Sequence, residues 1–411
     1  MSYEQIKFTL DVDHRRCILG NEPMIFHCHH YNNYLQRTIV EDAPYIDSSL
    51  FLIGAAAEVS YAQFTQLFKT ETVEQRKAFV ELVFKWAGFG LINLKDITDK
   101  GGKVSTPVTH YSRTWATKFG PSEKPVDFFT TGWIAGALSA IYGKDLGAYS
   151  AKQTKCITMT GTKENEYSFA FEKANYNIYK SVGIGTLTTH KLISVEVNNV
   201  NYDGILGALS QMPIVGNDEG MIPAFGVYLT RHYANYYNRI SFEFVREMMT
   251  KFGQEGVDAA EPLLIEAGHQ CAFNTFGGIM TSKEWDALIL PQLKSKEDWV
   301  HGIVACVNAL GWGRWQVTNV SKAGADFTLH DDYESVGFQA MYGQSKSSIS
   351  YLAEGGVSGI LDLVYLGDIH NKPTLDPAFY AKLFKGTKSY TSKVVTSRAK
   401  GDAATKIEVR F

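Results

Sequence analysis

The sequence predicts an α+β protein in which two tandem copies of one domain each pack helices against an antiparallel sheet. Three observations support this: motifs recur in the same order in the two halves, amphipathic helices end at glycine-rich turns, and each half closes with a strand hairpin pattern. A length of 411 residues also exceeds what one ordinary hydrophobic core spans. We expect the first copy over residues 1–175 and the second over 176–411, packed together because no flexible linker separates them.

The repeat is clearest in the pattern H-Y-x-N-Y-x-x-R, which starts at His30 and again at His232. Two further pairs follow in the same order: the segment from Phe51 with that from Leu263, and Gly88–Gly90 with Gly311–Gly313. A shared order and offset over roughly 150 residues per copy rarely arise by coincidence. The second half is therefore expected to repeat the elements of the first.

Each copy is expected to begin with a helix that carries this pattern, followed by a second helix and a third. The third helix starts at a capping box, at Thr72 or at Ser295, and ends at a glycine-flanked aromatic residue. A strand, a Gly-rich helix and a closing hairpin complete the copy. The further predicted segments are the strands Leu91–Leu94, Trp315–Val317 and Leu192–Val197, and the Gly-rich helices Gly132–Ala140 and Gly355–Leu363.

The charge balance excludes two broad classes of partner. The chain has 40 basic and 43 acidic residues and a net charge of -3, without the basic excess that nucleic acid or an anionic membrane attracts. No stretch approaches the roughly 20 apolar residues of a membrane span. The cysteines form no CxxC pair, which argues against a disulfide framework and a zinc ribbon. We expect a cytoplasmic protein with small-molecule or protein partners.

Four segments carry a resemblance to a known family: Gly88–Leu94, Tyr111–Ala116, Gly132–Gly136 and Cys156–Phe171, with their counterparts in the second half. They resemble the 4-vinyl reductase domain family over most of both halves. The resemblance implies binding of small hydrophobic or aromatic molecules, as in the phenol-type effector domains of bacterial regulators. It also implies a fold related to TRAPP transport-complex subunits, which pair through their helices. An internal pseudo-dimer is therefore expected, and homo-oligomerisation stays open.

The chain departs from the family in one respect. Aromatic-sensing members bind zinc through a glutamate and three cysteines around the closing hairpin, whereas the equivalent stretch here offers Gln153 and Cys156. The second copy has Val395 in place of the cysteine. We therefore do not expect that zinc site. Because the repeats extend over the sequence, we expect neither the ATPase domain nor the DNA-binding domain of a regulator.

The run from Phe26 to His30 is a candidate metal site, because imidazole and thiolate bind zinc, iron and copper. In an extended segment His27 and His29 share one face, whereas in a helix His27 and His30 lie one turn apart. The second copy lacks three of these donors: opposite His27, Cys28 and His29 it has Leu229, Thr230 and Arg231. The first copy is therefore the specialised one at this position.

The second copy has its own unmatched pair, His269 and Cys271. If the copies face each other, either residue would complete a site begun by His27 and His29. The competing interpretations are a polar helix start for the first cluster and a single buried histidine for the second. A transition metal, zinc, iron or copper, is the cofactor that these residues predict.

A second candidate site is a stripe along one face of the first helix in each copy. It comprises His30, Tyr34 and Arg37 followed by Glu41, and His232, Tyr236 and Arg239 followed by Glu243. The plain interpretation is a surface arginine–glutamate pair worth about 0.3–0.5 kcal/mol. In the functional interpretation each arginine binds a carboxylate or phosphate of a ligand whose apolar body fills an aromatic-lined cavity.

The sequence thus predicts a protein that binds a hydrophobic or aromatic small molecule in a duplicated domain, with a transition metal at the histidine cluster. The alternative is a metal-dependent enzyme acting on that molecule, with a coordination position left open on the metal. A scaffold that uses TRAPP-like helical faces is a third hypothesis. No G-x-S-x-G elbow, Walker motif or full dinucleotide fingerprint indicates a defined enzyme class.

Overall fold

The chain folds into helices and antiparallel sheets, which confirms the predicted α+β class. The computed structural model describes residues 2–11, 16–179, 199–386 and 388–411. The strands are β1 (Thr9–Asp11), β2 (Arg16–Leu19), β3 (Glu22–Cys28), β4 (Gly101–Thr106), β5 (Tyr149–Lys155), β6 (Asn165–Phe171), β7 (Ile222–Ala224), β8 (Val227–Tyr233), β9 (Arg314–Ser321), β10 (Gly324–His330), β11 (Thr391–Thr396) and β12 (Thr405–Arg410).

The helices are α1 (His29–Arg37), α2 (Ser48–Leu67), α3 (Val73–Trp86), α4 (His110–Phe119), α5 (Phe128–Ile141), α6 (Tyr202–Ser210), α7 (Ala234–Phe252), α8 (Gln254–Cys271), α9 (Gly277–Thr281), α10 (Lys283–Leu288), α11 (Lys296–Ala309), α12 (Tyr333–Tyr342), α13 (Tyr351–Leu361) and α14 (Pro377–Phe384). Turns of π-helix extend α1, α8 and α13, at Thr38–Asp42, Ala272–Phe276 and Asp362–Leu366. No helix in the described ranges is long and apolar enough to cross a membrane.

Three sheets organise these elements, with strand orders β1-β2-β3-β8-β7, β4-β6-β5 and β11-β12-β10-β9. The second sheet belongs to the first half of the chain and the third sheet to the second half. The first sheet takes strands from both halves, and we call it the joining sheet. Both halves contain, in this order, a hairpin, two helices, a capped helix, a strand, two helices and a closing hairpin. The second half also has helices α6, α9, α10 and α14 and a second strand between α11 and α12. The duplication itself stays a prediction.

The halves meet where β3 pairs with β8, so that Phe26 lies directly opposite Arg231. The Phe26 N–H also donates to the Leu310 carbonyl at 2.9 Å, and the Arg231 N–H donates to the Ala87 carbonyl at 2.8 Å. Ala87 and Leu310 each follow the capped helix of their half, α3 or α11. Each joining strand is therefore hydrogen-bonded to a helix end of the opposite half.

The local start signals in the sequence predicted the capped helices correctly. Thr72 and Ser295 both form the expected capping boxes, at the starts of α3 and α11. Trp315–Val317 lies within β9, and the Gly-rich segments form α5 and α13. The predicted strand at Leu91–Leu94 is wrong: in this described stretch the pairing is confined to a bridge between Gly90 and Thr109. Leu192–Val197 lies outside the described residues.

The expected equivalence of His30 and His232 also differs from the structure. His30 lies in α1, whereas His232 lies in strand β8, one residue before α7. The contacts of His232 instead correspond to those of His27. The His232 ring lies 5.1 Å from the Phe89 ring, and the His27 ring lies 4.3 Å from the Trp312 ring. Phe89 and Trp312 are the aromatic residues of the two matched glycine turns. The H-Y-x-N-Y-x-x-R pattern is therefore displaced by one helical turn between the halves.

Glycines on α5 allow it to pack closely against α2. A Cβ atom on Gly132 would lie 1.9 Å from the Ile53 carbonyl oxygen, and one on Gly136 would lie 2.1 Å from the Ala57 carbonyl oxygen. In the second half, a Cβ on Gly355 of α13 would lie 2.1 Å from the Ile265 carbonyl oxygen on α8. The Gly-rich helices seen in the sequence are thus required by close helix–helix contact rather than by flexibility.

We expect Gly136→Ala to lower the free energy of unfolding by about 1–3 kcal/mol, because the new methyl group overlaps the backbone of α2. Gly207→Ala is the matched control: it lies in helix α6, where an added Cβ would meet no atom within 4 Å. The control should raise stability by about 0.5–1 kcal/mol through helix propensity. Urea unfolding of both variants measures the effect, and equal stabilisation by both would contradict the packing described for α5.

Candidate functional site

A cavity of about 180 Å³ lies where the two halves meet. It is lined by residues of the joining sheet and by helices α6, α9 and α11. Its walls are mostly apolar, and representative lining residues are Met24, Phe26, Leu206, Leu209, Phe225 and Ala309. The polar side chains among the described lining residues are Asp11, Ser210 and Arg231.

The strand geometry explains which side chains reach this cavity. Successive side chains of a strand point to opposite faces, so Met24 and Phe26 of β3 share one face and His27 lies on the other. Cys17 pairs with Met24, and Arg231 pairs with Phe26. Residues directly opposite each other in a sheet share a face, which brings all four of these side chains to the cavity.

Arg231 is a charged residue of this cavity that was not predicted from the sequence as a site residue. Its guanidinium lies 4.3 Å from the ring centre of Phe26 and 4.7 Å from that of Trp86. One Nη atom donates to the Ile214 carbonyl at 3.3 Å, whereas the buried Nε–H has no hydrogen-bond partner. Within the described ranges no carboxylate lies at ion-pair distance from it. The signal available in the sequence was a charged residue, Arg231, within the strand Val227–Tyr233.

The neighbouring thiol does not neutralise this charge. Burial lowers the pKa of Arg231, and the side chain of Cys17 is the titratable neighbour that opposes the shift. Burial also raises the pKa of Cys17 to about 11, although Arg231 acts in the opposite direction. At neutral pH Cys17 is therefore a neutral thiol beside a cationic guanidinium.

The arginines selected from the sequence have partners of their own. Arg37 is exposed and pairs with Glu41, and His30 on the same helix lies 3.1 Å from the Lys118 ammonium. Arg239 is buried and bonds to Glu58 at 3.0 Å and to the Tyr342 hydroxyl at 2.9 Å. The other stripe residues, Tyr34, His232 and Tyr236, pack partly or fully within the core.

Arg239 lines a second and larger cavity, of about 510 Å³. Acidic groups line the same cavity, and burial raises the pKa of Glu22 and that of Glu58 to about 7. Arg239 and Glu58 form an ion pair in the wall of this cavity. The larger cavity therefore has several charged side chains of both signs in its walls, whereas Asp11 and Arg231 are the charged side chains among the described lining residues of the smaller one.

His27 lies on the opposite face of β3, away from Phe26. Its ring is stacked between Tyr31 at 4.5 Å and Trp312 at 4.3 Å, with the edge of Tyr237 at 4.6 Å. Both ring nitrogens are buried without a hydrogen-bond partner, and burial lowers the pKa of His27 well below its usual value. His27 is therefore a neutral ring within an aromatic cluster.

The predicted metal ligands point in different directions. The Cys28 and Cys271 thiols both approach the Thr275 hydroxyl, at 2.7 Å and 3.4 Å. His29 Nδ1 instead accepts the Tyr228 N–H at 3.1 Å, and His269 Nε2 lies 3.1 Å from the Ser358 hydroxyl. The structure brings the two cysteines together but not the histidines. Among the residues that it describes, no group of three or more His, Cys, Asp or Glu side chains is placed to hold a metal ion.

Replacement of His27 tests its state inside the fold. In the unfolded chain its imidazole takes up a proton below pH about 6.5, whereas burial keeps the folded form neutral, so His27 weakens the fold as pH falls. The stability of His27→Phe relative to the unaltered protein should rise by about 1.4 kcal/mol for each pH unit below about 6.

Urea unfolding of both proteins at several pH values between about 5 and 7.5 measures this difference, and the packing change cancels because it is the same at each pH. His370→Phe, at an exposed position, is the control for the replacement of a histidine by phenylalanine. A His27→Phe difference that does not vary with pH would show that His27 takes up a proton in the folded protein as readily as in the unfolded chain.

Comparisons with known proteins find no matching family model and no matching curated protein. Among solved structures, the chain is similar to the crystal structure of the phenol-responsive sensory domain of the transcription activator PoxR with phenol. The identity is 12%, and the match covers 50% of this chain and 88% of that chain, with a TM-score of 0.36. A match at this level carries no argument about ligand or activity, and the relation to the 4-vinyl reductase family stays a prediction.

Proposed function

We propose that this protein binds a small hydrophobic or aromatic molecule in the cavity between its two halves. The observation that supports the proposal is the cavity itself, about 180 Å³ with largely apolar walls at a junction of the fold. Small-molecule sites are concave and mostly apolar with a few polar groups. This cavity has that character, with Asp11, Ser210 and Arg231 as the polar side chains among its described lining residues.

The volume sets the size of the ligand. Apolar cavities of about 150 Å³ accept benzene, and drug-sized ligands need about 300 Å³ or more. A cavity of about 180 Å³ therefore suits one aromatic ring or a short aliphatic chain with a few further atoms. Larger polycyclic molecules would not fit without rearrangement of the walls.

The cavity also follows from the duplication, which we propose on the shared order of elements and the matched contacts at the joining strands. Trp86 and Ala309 are the last residues of α3 and α11, each just before its glycine turn. Trp86 packs against the Arg231 guanidinium, whereas Ala309 lines the cavity beside Phe26. A large side chain thus fills space in one half where a small side chain leaves space in the other.

A metal-dependent enzyme, the alternative from the sequence, lacks a comparable observation. The five predicted ligands are divided among separate contacts, and the described residues contain no group of three that is placed for metal binding. The proposed function is therefore ligand binding.

Ala309→Trp should abolish ligand binding, because it introduces at the cavity wall the side chain that the matched position already has. Saturation-transfer NMR with toluene, phenol, benzamide and benzoate measures binding to the unaltered protein and to the variant. We expect a Kd below about 1 mM for at least one of these molecules and a weakening of at least about tenfold in Ala309→Trp.

Ala381→Trp, at an exposed position of helix α14, is the matched control and should bind as the unaltered protein does. The proposal fails if none of the four molecules binds the unaltered protein, or if binding persists in a folded Ala309→Trp variant.

A further inference from the structure

We propose that the ligand of this cavity is a small hydrophobic carboxylate and that the Arg231 guanidinium binds its carboxylate group. This inference rests on the proposed function, which concerns the apolar cavity, and adds the charge of the ligand. The observations that support it are the position, the free donors and the uncompensated charge of Arg231.

Arg231 has donor capacity left for a ligand. A guanidinium presents a planar fork of N–H groups, which matches the two oxygens of a carboxylate. Hydrogen bonds to the Ile214 carbonyl and to the Cys17 thiol use part of this fork, and the buried Nε–H has no partner. The guanidinium carbon lies over the rings of Phe8, Phe26 and Trp86, and these cation–π contacts use none of its N–H donors.

The charge of Arg231 also lacks a counter-ion within the described ranges. A buried charge is unfavourable unless an opposite charge or hydrogen bonds compensate it. Cys17 is neutral at physiological pH, because burial raises its pKa to about 11. Asp11, the acidic residue among the described cavity walls, acts electrostatically on Arg16. A bound anion would supply the missing charge, whereas a neutral ligand would not.

The contrast with Arg239 supports the assignment to Arg231. Arg239 has carboxylate partners in Glu58 and Glu243 and lines a cavity with several charged groups. Arg231 combines an apolar surrounding with free N–H groups, which favours a molecule with one apolar part and one anionic end. The small volume of the cavity favours a monocarboxylate of about the size of benzoate.

Benzoate and benzamide, which have nearly the same shape and differ in charge, test the inference by isothermal titration calorimetry. The unaltered protein should bind benzoate at least about tenfold more tightly than benzamide. In Arg231→Met this preference should disappear, with benzamide affinity changed by less than about threefold.

Arg76→Met is the matched control. Arg76 stacks over Phe68 at 5.2 Å, donates to the Ile141 carbonyl at 3.1 Å and has a buried Nε without a partner, yet it is not among the described residues that line either cavity. The control variant should keep the preference for benzoate.

Equal affinity of the unaltered protein for benzoate and benzamide would overturn the inference while leaving the proposed function intact. Retention of the preference in Arg231→Met would also overturn it. Binding of neither molecule, nor of toluene or phenol, would contradict the proposed function itself. If Arg231→Met does not fold, Arg231→Lys decides the question: it keeps the charge without the fork and should retain a smaller preference for benzoate, and loss of all preference would contradict the role of charge.

Discussion

The pairing of strands β3 and β8 is the interaction on which the rest of this structure depends. It places Phe26 opposite Arg231 at the centre of a sheet that both halves share. Both residues also donate their backbone N–H groups to helix ends of the opposite half, at Leu310 and Ala87. These hydrogen bonds fix the position of α3 and α11 relative to the joining sheet. The cavity and the aromatic cluster then occupy the two faces of this sheet.

The two faces have different physical characters. On one face, His27 and His232 are neutral aromatic rings in the core. His232 Nε2 lies 3.1 Å from the Tyr111 hydroxyl, and its Nδ1 accepts the Tyr233 N–H. Neither ring nitrogen of His27 has a hydrogen-bond partner. On the other face, a cavity remains because the side chain of Ala309, at the end of α11, is smaller than that of Trp86 at the end of α3. One face therefore has an unsatisfied imidazole, and the other has an open space beside a cation that has no carboxylate partner among the described residues.

Local sequence signals predicted much of the fold. Capping boxes at Thr72 and Ser295 and the Gly-rich helices depend on short-range geometry, which a sequence expresses directly. The register around His30 and His232 was not predictable in the same way, because a shared letter pattern does not show where a strand ends and a helix begins. The predicted metal ligands do not converge, because strand β3 ends at Cys28 and helix α1 begins at His29, so His27 and His29 do not share one face.

The candidate site was the least predictable part, because it depends on differences between the halves rather than on shared residues. The ionisable groups that occur in both halves of the sequence include Arg37 and Arg239, which have carboxylate partners in the fold. Arg231 was visible in the sequence as the residue opposite His29 in the repeat alignment, but its contacts with Phe26 and Trp86 follow only from the packing of the fold. A difference in side-chain size, Trp86 against Ala309, was the sequence signal for the cavity.

The most direct test of this account is anomalous diffraction from crystals of the protein grown with 4-bromobenzoate. The account predicts one ordered bromine position inside the cavity lined by Phe26, Leu209 and Ala309, with the carboxylate at hydrogen-bond distance from the Arg231 guanidinium. Bromine density in the larger cavity beside Arg239, or a carboxylate directed away from Arg231, would contradict it.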